Sequence, residues 1–539
     1  MSIYNRINMQ ALIPGRLTAS HFGETTSATP PQMTAKRAET SRLPQTPAVA
    51  RATVRRMGLS FKFSHYSNRI LFPSLLIVLA LALATTGFSA VRGRLKVSSD
   101  GHYLQYEDGT PFFNLGDTAW QLLHRLNREQ VDRYLEDRAR KGFTVIQTVV
   151  LSQIGGLTVP NPYGDIPLAG EDPARPNEAY FRHVDYVVSK AESLGIYVGL
   201  LPTWGSYWNP TPAGNRRGGI FTVDNARAYG RYLGRRYKDK PIIWILGGDR
   251  TITSEQERAV IDAMAAGLEE GDGRTHLKTF HPIGPGMSSS HLHEAPWLDF
   301  SMYQSSHAAQ DHDNGLYAEH DWALQPPKPT LDGEPRYEQI PVGFYYPNYN
   351  RFIRFDDYDA RQAAYWSLFA GACGHTYGNN SIWQMWEPGR EPAIFADIAW
   401  YEALDHPGAL QMGFVRRLFE SRPFQMLEPY PAMVKAGPTA GGAKVRALRA
   451  TNGSFAFIYS PRGESFTVDK NAIKARRVKE LWYDPRYGVT RPLHTTDNWG
   501  YQTYSPPASG RGNDWILILE DDAAGYPLPG VARPGAAGR

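Results

Sequence analysis

Two carboxylic acids close apolar stretches where a turn is written into the neighbouring residues. Asp249 ends Ile242-Ile-Trp-Ile-Leu-Gly-Gly-Asp-Arg, after two glycines that let the chain reverse tightly. Glu334 stands between Gly333 and Pro335 in Thr330-Leu-Asp-Gly-Glu-Pro-Arg-Tyr-Glu. Glycosidic hydrolysis needs such a pair: a protonated acid gives its proton to the leaving oxygen, and a second carboxylate attacks or stabilises the anomeric carbon. Either acid alone fits a structural ion pair or a helix cap as well as it fits catalysis. Retention of configuration would set the carboxyls roughly 5–5.5 Å apart, inversion about 6.5–9.5 Å.

Aromatic side chains supply a second signal. The chain holds 13 Trp and 30 Tyr, many in turn-rich stretches, and flat rings stack on the C–H faces of sugars. Candidate substrate contacts follow the apolar runs in order: Asp117 and Trp120; Trp204, Tyr207 and Trp208; Arg250; His281; Tyr303, Gln304 and His307; Tyr377 and Trp383, with Asn379 between them. Packing competes with stacking at any single Trp, but three rings in 204–208 favour a sugar wall there. Other chemistries find less support. The run His307, Asp311, His312, Asp313, His320 matches no zinc spacing and reads as a solvated loop face, and His293-Glu-Ala-Pro-Trp lacks the second histidine of a zinc protease. Gly-x-Ser-x-Gly is absent. No metal or cofactor is expected.

The elements that must carry these residues alternate. Strands are expected at 112–116, 144–151, 196–202, 241–246, 277–280, 298–303, 329–332 and 374–377. Helical periodicity covers 128–141, 179–194, 225–237, 254–270 and 358–372. Eight strands with intervening helices give an α/β fold, a (β/α)₈ TIM barrel at 95–404, with strand-end residues in its mouth. An open doubly wound sheet is the rival, but no Gly-rich fingerprint follows the first strand. Short strands at 444–450, 454–460, 464–468, 478–483 and 515–519 predict a small antiparallel β-sandwich over 405–522. The Gly/Pro/Ala-rich 523–539 reads as a flexible tail.

Of 539 residues, 42% are hydrophobic, enough for at least one large core. Ten Lys/Arg against Glu24 and Glu39 give residues 1–69 a local +8, which leaves −3 of the formal +5 for the rest. A slightly acidic folded part argues against a nucleic-acid partner. Cys373, the single cysteine, excludes an internal disulfide and reads as a core thiol. Residues 1–69 form a basic extension expected to be disordered, with a start near Met57 as the alternative initiation point. The apolar run within 70–90 reads as a signal peptide ending near Ala84 or Ala90, with an inner-membrane anchor as the alternative. Export to the periplasm or beyond is therefore expected, with a monomer acting on carbohydrate.

Three motifs in order carry a family resemblance: Gly109-Thr-Pro-Phe-Phe-Asn-Leu-Gly-Asp-Thr-Ala-Trp, Trp244-Ile-Leu-Gly-Gly-Asp-Arg and Asp332-Gly-Glu-Pro-Arg-Tyr-Glu. Together they resemble the apiosidase-like glycoside hydrolases, of the family-140 type, over roughly Leu95–Asp522. Members pair this barrel with a C-terminal domain labelled "putative collagen-binding"; nothing in residues 406–522 speaks for collagen chemistry. The resemblance implies a retaining mechanism with Asp249 as acid/base and Glu334 as nucleophile, and apiose-containing plant pectin as substrate. A non-catalytic carbohydrate-binding barrel is the alternative reading.

Overall fold

A computed structural model of the chain describes residues 91–209 and 219–530. The expected leader at 1–69 and 70–90, much of the 207–219 loop and the end of the tail lie outside the described residues. Eight parallel strands, β1 (Asn114–Thr118), β2 (Val145–Leu151), β3 (Tyr197–Thr203), β4 (Ile242–Gly247), β5 (Lys278–His281), β6 (Ser301–Gln304), β7 (Thr330–Asp332) and β8 (Gly374–Tyr377), pair in the order β5-β4-β3-β2-β1-β8-β7-β6. Bonds between the flanks of β5 and β6 bring the ring round: Asp299 N donates to Lys278 O at 3.0 Å and Thr279 Oγ1 to Phe300 O at 2.7 Å. The fold is the expected (β/α)₈ barrel.

Helices α1 (Arg128–Lys141), α2 (Glu178–Ser193), α3 (Val223–Tyr237) and α4 (Glu255–Asp272) start within two residues of expectation. Their starts are fixed by side chains: Asn127, Thr222 and Ser254 each accept from the N3 backbone N–H, with Gln130, Asn225 and Glu257 reaching back. The short α5 (Gly315–Trp322) was not expected. Beyond it, α6 (Asp357–Leu368) stops before the expected 372, because Gly371 turns the chain at φ 105 ahead of β8. Another helix, α7 (Pro407–Glu420), opens with proline at its first position and packs on α1 and α6. Its Gly408 and Gly413 look like breakers but are contact points: a Cβ on Gly413 would lie 2.3 Å from Lys141 O. Among the described residues, no helix is long and apolar enough to cross a membrane.

The C-terminal strands are β9 (Leu427–Pro429), β10 (Val434–Ala436), β11 (Arg446–Ala450), β12 (Phe455–Ser460), β13 (Phe466–Asp469), β14 (Arg477–Asp484), β15 (Val489–Asp497), β16 (Tyr501–Tyr504) and β17 (Trp515–Asp521). They form a six-stranded antiparallel sheet, β9-β11-β12-β17-β14-β15, and a three-stranded one, β10-β13-β16. In β12 and β17, Ala456, Ile458, Trp515, Leu517 and Leu519 face the small sheet, while Phe455, Phe457, Tyr459, Ile516 and Ile518 join the barrel's core. The central strands β12 and β17 are thus buried on both faces, which explains their near-continuous apolar runs. Tyr459 packs 5.0 Å from Tyr365, and Phe457 packs 5.9 Å from Phe419.

Candidate active site

The tip of β4 takes an unusual course. Gly247, Gly248 and Asp249 have φ values of 94°, 94° and 58°, three left-handed residues in succession. A Cβ on Gly247 would come within 2.4 Å of His281 O, and one on Gly248 within 2.8 Å of Gly205 N, so only glycine fits either place. Gly205 N donates to Gly248 O at 2.8 Å, Gly248 N to His281 O at 3.1 Å and Trp208 Nε1 to Gly247 O at 2.7 Å. Aspartate tolerates the left-handed position better than most residues. The turn leaves the Asp249 side chain 31% exposed, with Arg250 Nη1 3.5 Å from Oδ2.

Glu334 follows β7, and its backbone is held on both sides. Gly333 N donates to Tyr303 O at 2.8 Å, Gly333 O accepts from Gln147 Nε2 at 2.7 Å, and Ser306 N donates to Glu334 O at 3.1 Å. Its carboxyl meets two imidazoles: His307 Nε2 lies 3.2 Å from Oε1 and His281 Nε2 3.3 Å from Oε2. The other ring nitrogens settle the tautomers. Asp249 N donates to His281 Nδ1 at 3.2 Å and Tyr337 N to His307 Nδ1 at 3.4 Å, so each Nδ1 is an acceptor. With Nδ1 accepting, the ring proton sits on Nε2; His307 Nε2 donates it to Glu334 Oε1, while His281 Nε2 stands near Oε2 outside hydrogen-bond geometry. Trp120 stands edge-on to His281 at 5.4 Å and to Trp204 at 5.3 Å, which walls this side with rings.

The two carboxyls are driven apart electrostatically. Burial alone would raise Glu334, but its contacts with His281 and His307 override that and lower it to about 2. Asp249 is raised to about 6, first by desolvation and then by the negative charge of Glu334. Arg250 and the histidines oppose that rise. At mildly acidic pH one acid holds a proton and the other does not, which is the division of labour that glycosidic cleavage requires.

The remaining candidates divide by the direction of their side chains. Asp117 does not reach the mouth: it faces α1, where it accepts from Arg138 Nε at 2.6 Å and Tyr134 OH at 2.7 Å and is fully buried. Tyr303 also faces outward, stacked on Tyr317 of α5 at 5.4 Å, and Tyr377 donates to Glu338 Oε2 at 2.6 Å beside α7. Side chains alternate along a strand, so Thr118, Met302 and Thr376 take the inward places beside these three. Trp208 folds back to share a small cavity with Leu246, Val260 and Met264, and Tyr207 donates to Ser152 O at 2.9 Å. Both rings support the mouth rather than line it. Asn379 caps the short helix 380–383 and bonds His406. Trp120, Trp204, Arg250, His281 and His307 gather around the two acids. Trp383 is anchored to Asn380 and accepts at its carbonyl from Gln121 N, while Gln304 shares the inward parity of Met302.

Sequence reasoning missed Tyr337 and Gln147. The Tyr337 ring packs 4.8 Å from His307 and its hydroxyl donates to Thr118 Oγ1 at 3.2 Å; burial and then the Glu334 charge hold that hydroxyl protonated. Its place three residues after Glu334, on the same tight loop, was the available signal. The expected solvated His/Asp face is instead dispersed. Asp313 pairs with Lys444 and Arg446, Asp311 pairs with Arg462, and His312 meets Tyr317. Among the described residues, no three His, Cys, Asp or Glu side chains are grouped as metal ligands. Cys373 is buried, and burial pushes its thiol up to about 12.

Comparison with known proteins agrees with this geometry. Residues 98–426 match the family model described as "Apiosidase-like, catalytic domain", and residues 429–520 match "Putative collagen-binding domain of a collagenase". A solved structure titled "Glycoside hydrolase" is 35% identical over 80% of this chain and 97% of its own, with a TM-score of 0.73. A glycoside hydrolase family 5 structure from Bacteroides vulgatus is 32% identical over 82% of this chain and 96% of its own, with a TM-score of 0.74. A search of curated proteins finds no match. With the catalytic-domain model spanning more than half of the chain, the protein is a glycosidase and belongs to the apiosidase-like family of glycoside hydrolases.

Proposed function

We propose that the protein is an exported, retaining glycosidase acting on a polysaccharide, with Asp249 as acid/base and Glu334 as nucleophile. The observation that carries this reading is the setting of Glu334, bonded to His307 and 3.3 Å from His281, which favours its ionised form while the less compensated Asp249 is raised. In the first step Asp249 gives its proton to the glycosidic oxygen as the bond to the anomeric carbon breaks, and a Glu334 oxygen bonds to that carbon. In the second, the Asp249 carboxylate takes a proton from water, whose oxygen displaces Glu334 and frees the sugar. Apiose-containing plant pectin is the proposed substrate, following the family resemblance. Export would leave a mature N-terminus between Thr85 and Leu95, checkable by sequencing protein from the native host.

The test is a screen on plant and bacterial polysaccharides, followed by Asp249→Asn and Glu334→Gln on the polymer that is cut. Each variant should lose at least about 10³-fold in turnover, on the scale at which 1.36 kcal/mol is tenfold, while retaining sugar binding. NMR of the first product should show the starting anomer. Full activity in either variant removes the two-carboxylate reading, and binding without cleavage by the wild type leaves a carbohydrate-binding protein.

A further inference from the structure

Beyond the catalytic acids, the loops after β7 and β8 present rings to solvent that no packing explains. The loop after β7 is pinned at its base: Gln339 N donates to Phe355 O, Phe355 N to Ile340 O and Val342 N to Ile353 O. Arg354 then ties it to the loop after β8, donating to Gln339 O at 2.9 Å, Phe395 O at 2.8 Å and Asp397 Oδ2 at 3.0 Å. On this rigid base Phe352 is 77% exposed and Phe395 is 42% exposed. Phe395 also adopts φ 51, a left-handed backbone that a bulky residue takes only when the surroundings force it. Strain that displays an apolar ring to water marks a binding surface better than a packing device. Arg351 lies over both rings, 4.8 Å from Phe352 and 5.8 Å from Phe395, and has no ion pair among the described residues.

The loop that carries Arg351 and Phe352 also touches the mouth at its other end. Gly343 N donates to His307 O at 2.8 Å, Phe344 packs 5.9 Å from the His307 ring, and Tyr345 follows at 5.0 Å. Resting on the glycosidase reading above, we propose that Phe352, Phe395 and Arg351 form a distal subsite for a uronate-bearing stretch of the glycan chain. The rings take the sugar faces, and the unpaired guanidinium takes the carboxylate. A preorganised platform of this kind binds without first having to order its loops.

The test uses the full chain carrying Glu334→Gln, with polygalacturonate and its fully methyl-esterified form as probes in affinity gels. Polygalacturonate should retard the protein more than the ester. Adding Phe352→Ala and Phe395→Ala should weaken retardation about tenfold, the order expected for lost ring contacts. Adding Arg351→Ala instead should abolish the preference for the free acid. Equal retardation with and without the platform substitutions, or no retardation by polygalacturonate at all, overturns the subsite. The glycosidase reading is judged separately, on loss of turnover in Glu334→Gln with the rings intact.

Discussion

Buried carboxylates are held in two opposite ways in this molecule. At the seam between barrel and sandwich, Asp514 accepts from Arg361 Nε at 2.9 Å and Nη2 at 2.7 Å, and Glu520 accepts from Arg422 Nε at 3.0 Å. Each seam carboxylate meets a full positive charge with almost no water in reach. At the mouth, Glu334 is met by two imidazoles, bonded to His307 and 3.3 Å from His281, and among the described residues Asp249 pairs with Arg250 at 3.5 Å. A guanidinium neutralises its partner and leaves nothing to answer a charge that forms elsewhere. Imidazoles hold the anion less completely than a guanidinium does, which in the proposed reaction leaves Glu334 able to meet the positive charge that grows at an anomeric carbon. Seam pairs make structure; the mouth keeps its charge for chemistry.

Breaking a seam pair should have the largest energetic effect. Arg361→Met strands Asp514 with Tyr459 OH as its remaining side-chain donor, and should cost about 3–5 kcal/mol of stability. Chemical denaturation would read this as a lower midpoint, with activity per folded molecule preserved. A loss of specific activity matching the loss of stability would blur the distinction between the two regions.

Removing one imidazole should be milder in energy but visible in pH. His307→Ala or His281→Ala should lose about 10–100-fold in kcat/KM, equivalent to about 1.4–2.7 kcal/mol. His307→Gln, whose amide N–H can stand in for Nε2–H, should recover part of it. In the wild type, kcat/KM should fall as pH rises through about 6, where Asp249 loses its proton, and on the acid side only near about 2, where Glu334 gains one. In the alanine variants the acid limb should move up towards ordinary glutamate values. An unmoved limb would mean that the histidines only fill space.

The smallest effects should have opposite signs in the two acids. The raised Asp249 pKa means that its ionisation costs stability as pH rises from the unfolded value of 3.8 through about 6. Asp249→Asn should therefore raise Tm at pH 7 by about 1–2 °C. The lowered Glu334 pKa contributes stability above the unfolded value of 4.5, lost as pH falls towards about 2. Glu334→Gln should lower Tm at pH 7 by a similar amount. Shifts of the same sign, measured calorimetrically at pH 7, would contradict the assignment of protonation states.

Much of the barrel was legible because its strands are apolar runs and its helices carry a clear helical period. The acids were legible because glycines and a proline mark their turns. What stayed hidden depends on direction rather than position. Asp117, Tyr303 and Tyr377 stand at the ends of their strands as expected, yet each is one residue out of phase with the interior, and no turn residue records that phase. The α7 helix was obscured by Gly408 and Gly413, whose missing side chains serve close packing against Glu338 and Lys141. Tyr337 and Gln147 act through tertiary bonds to Thr118 and Gly333, which local sequence does not announce.

The knot at the end of β4 has a consequence for how such an enzyme can diversify. Gly205, Gly248 and His281 tie three successive loop tips together, so a residue inserted in any one of them would drag the other two and Asp249 with them. That arc is closed to tinkering. The loops after β7 and β8 are fastened at their bases and open at their tips, so new appetites can be grafted there without disturbing the reaction.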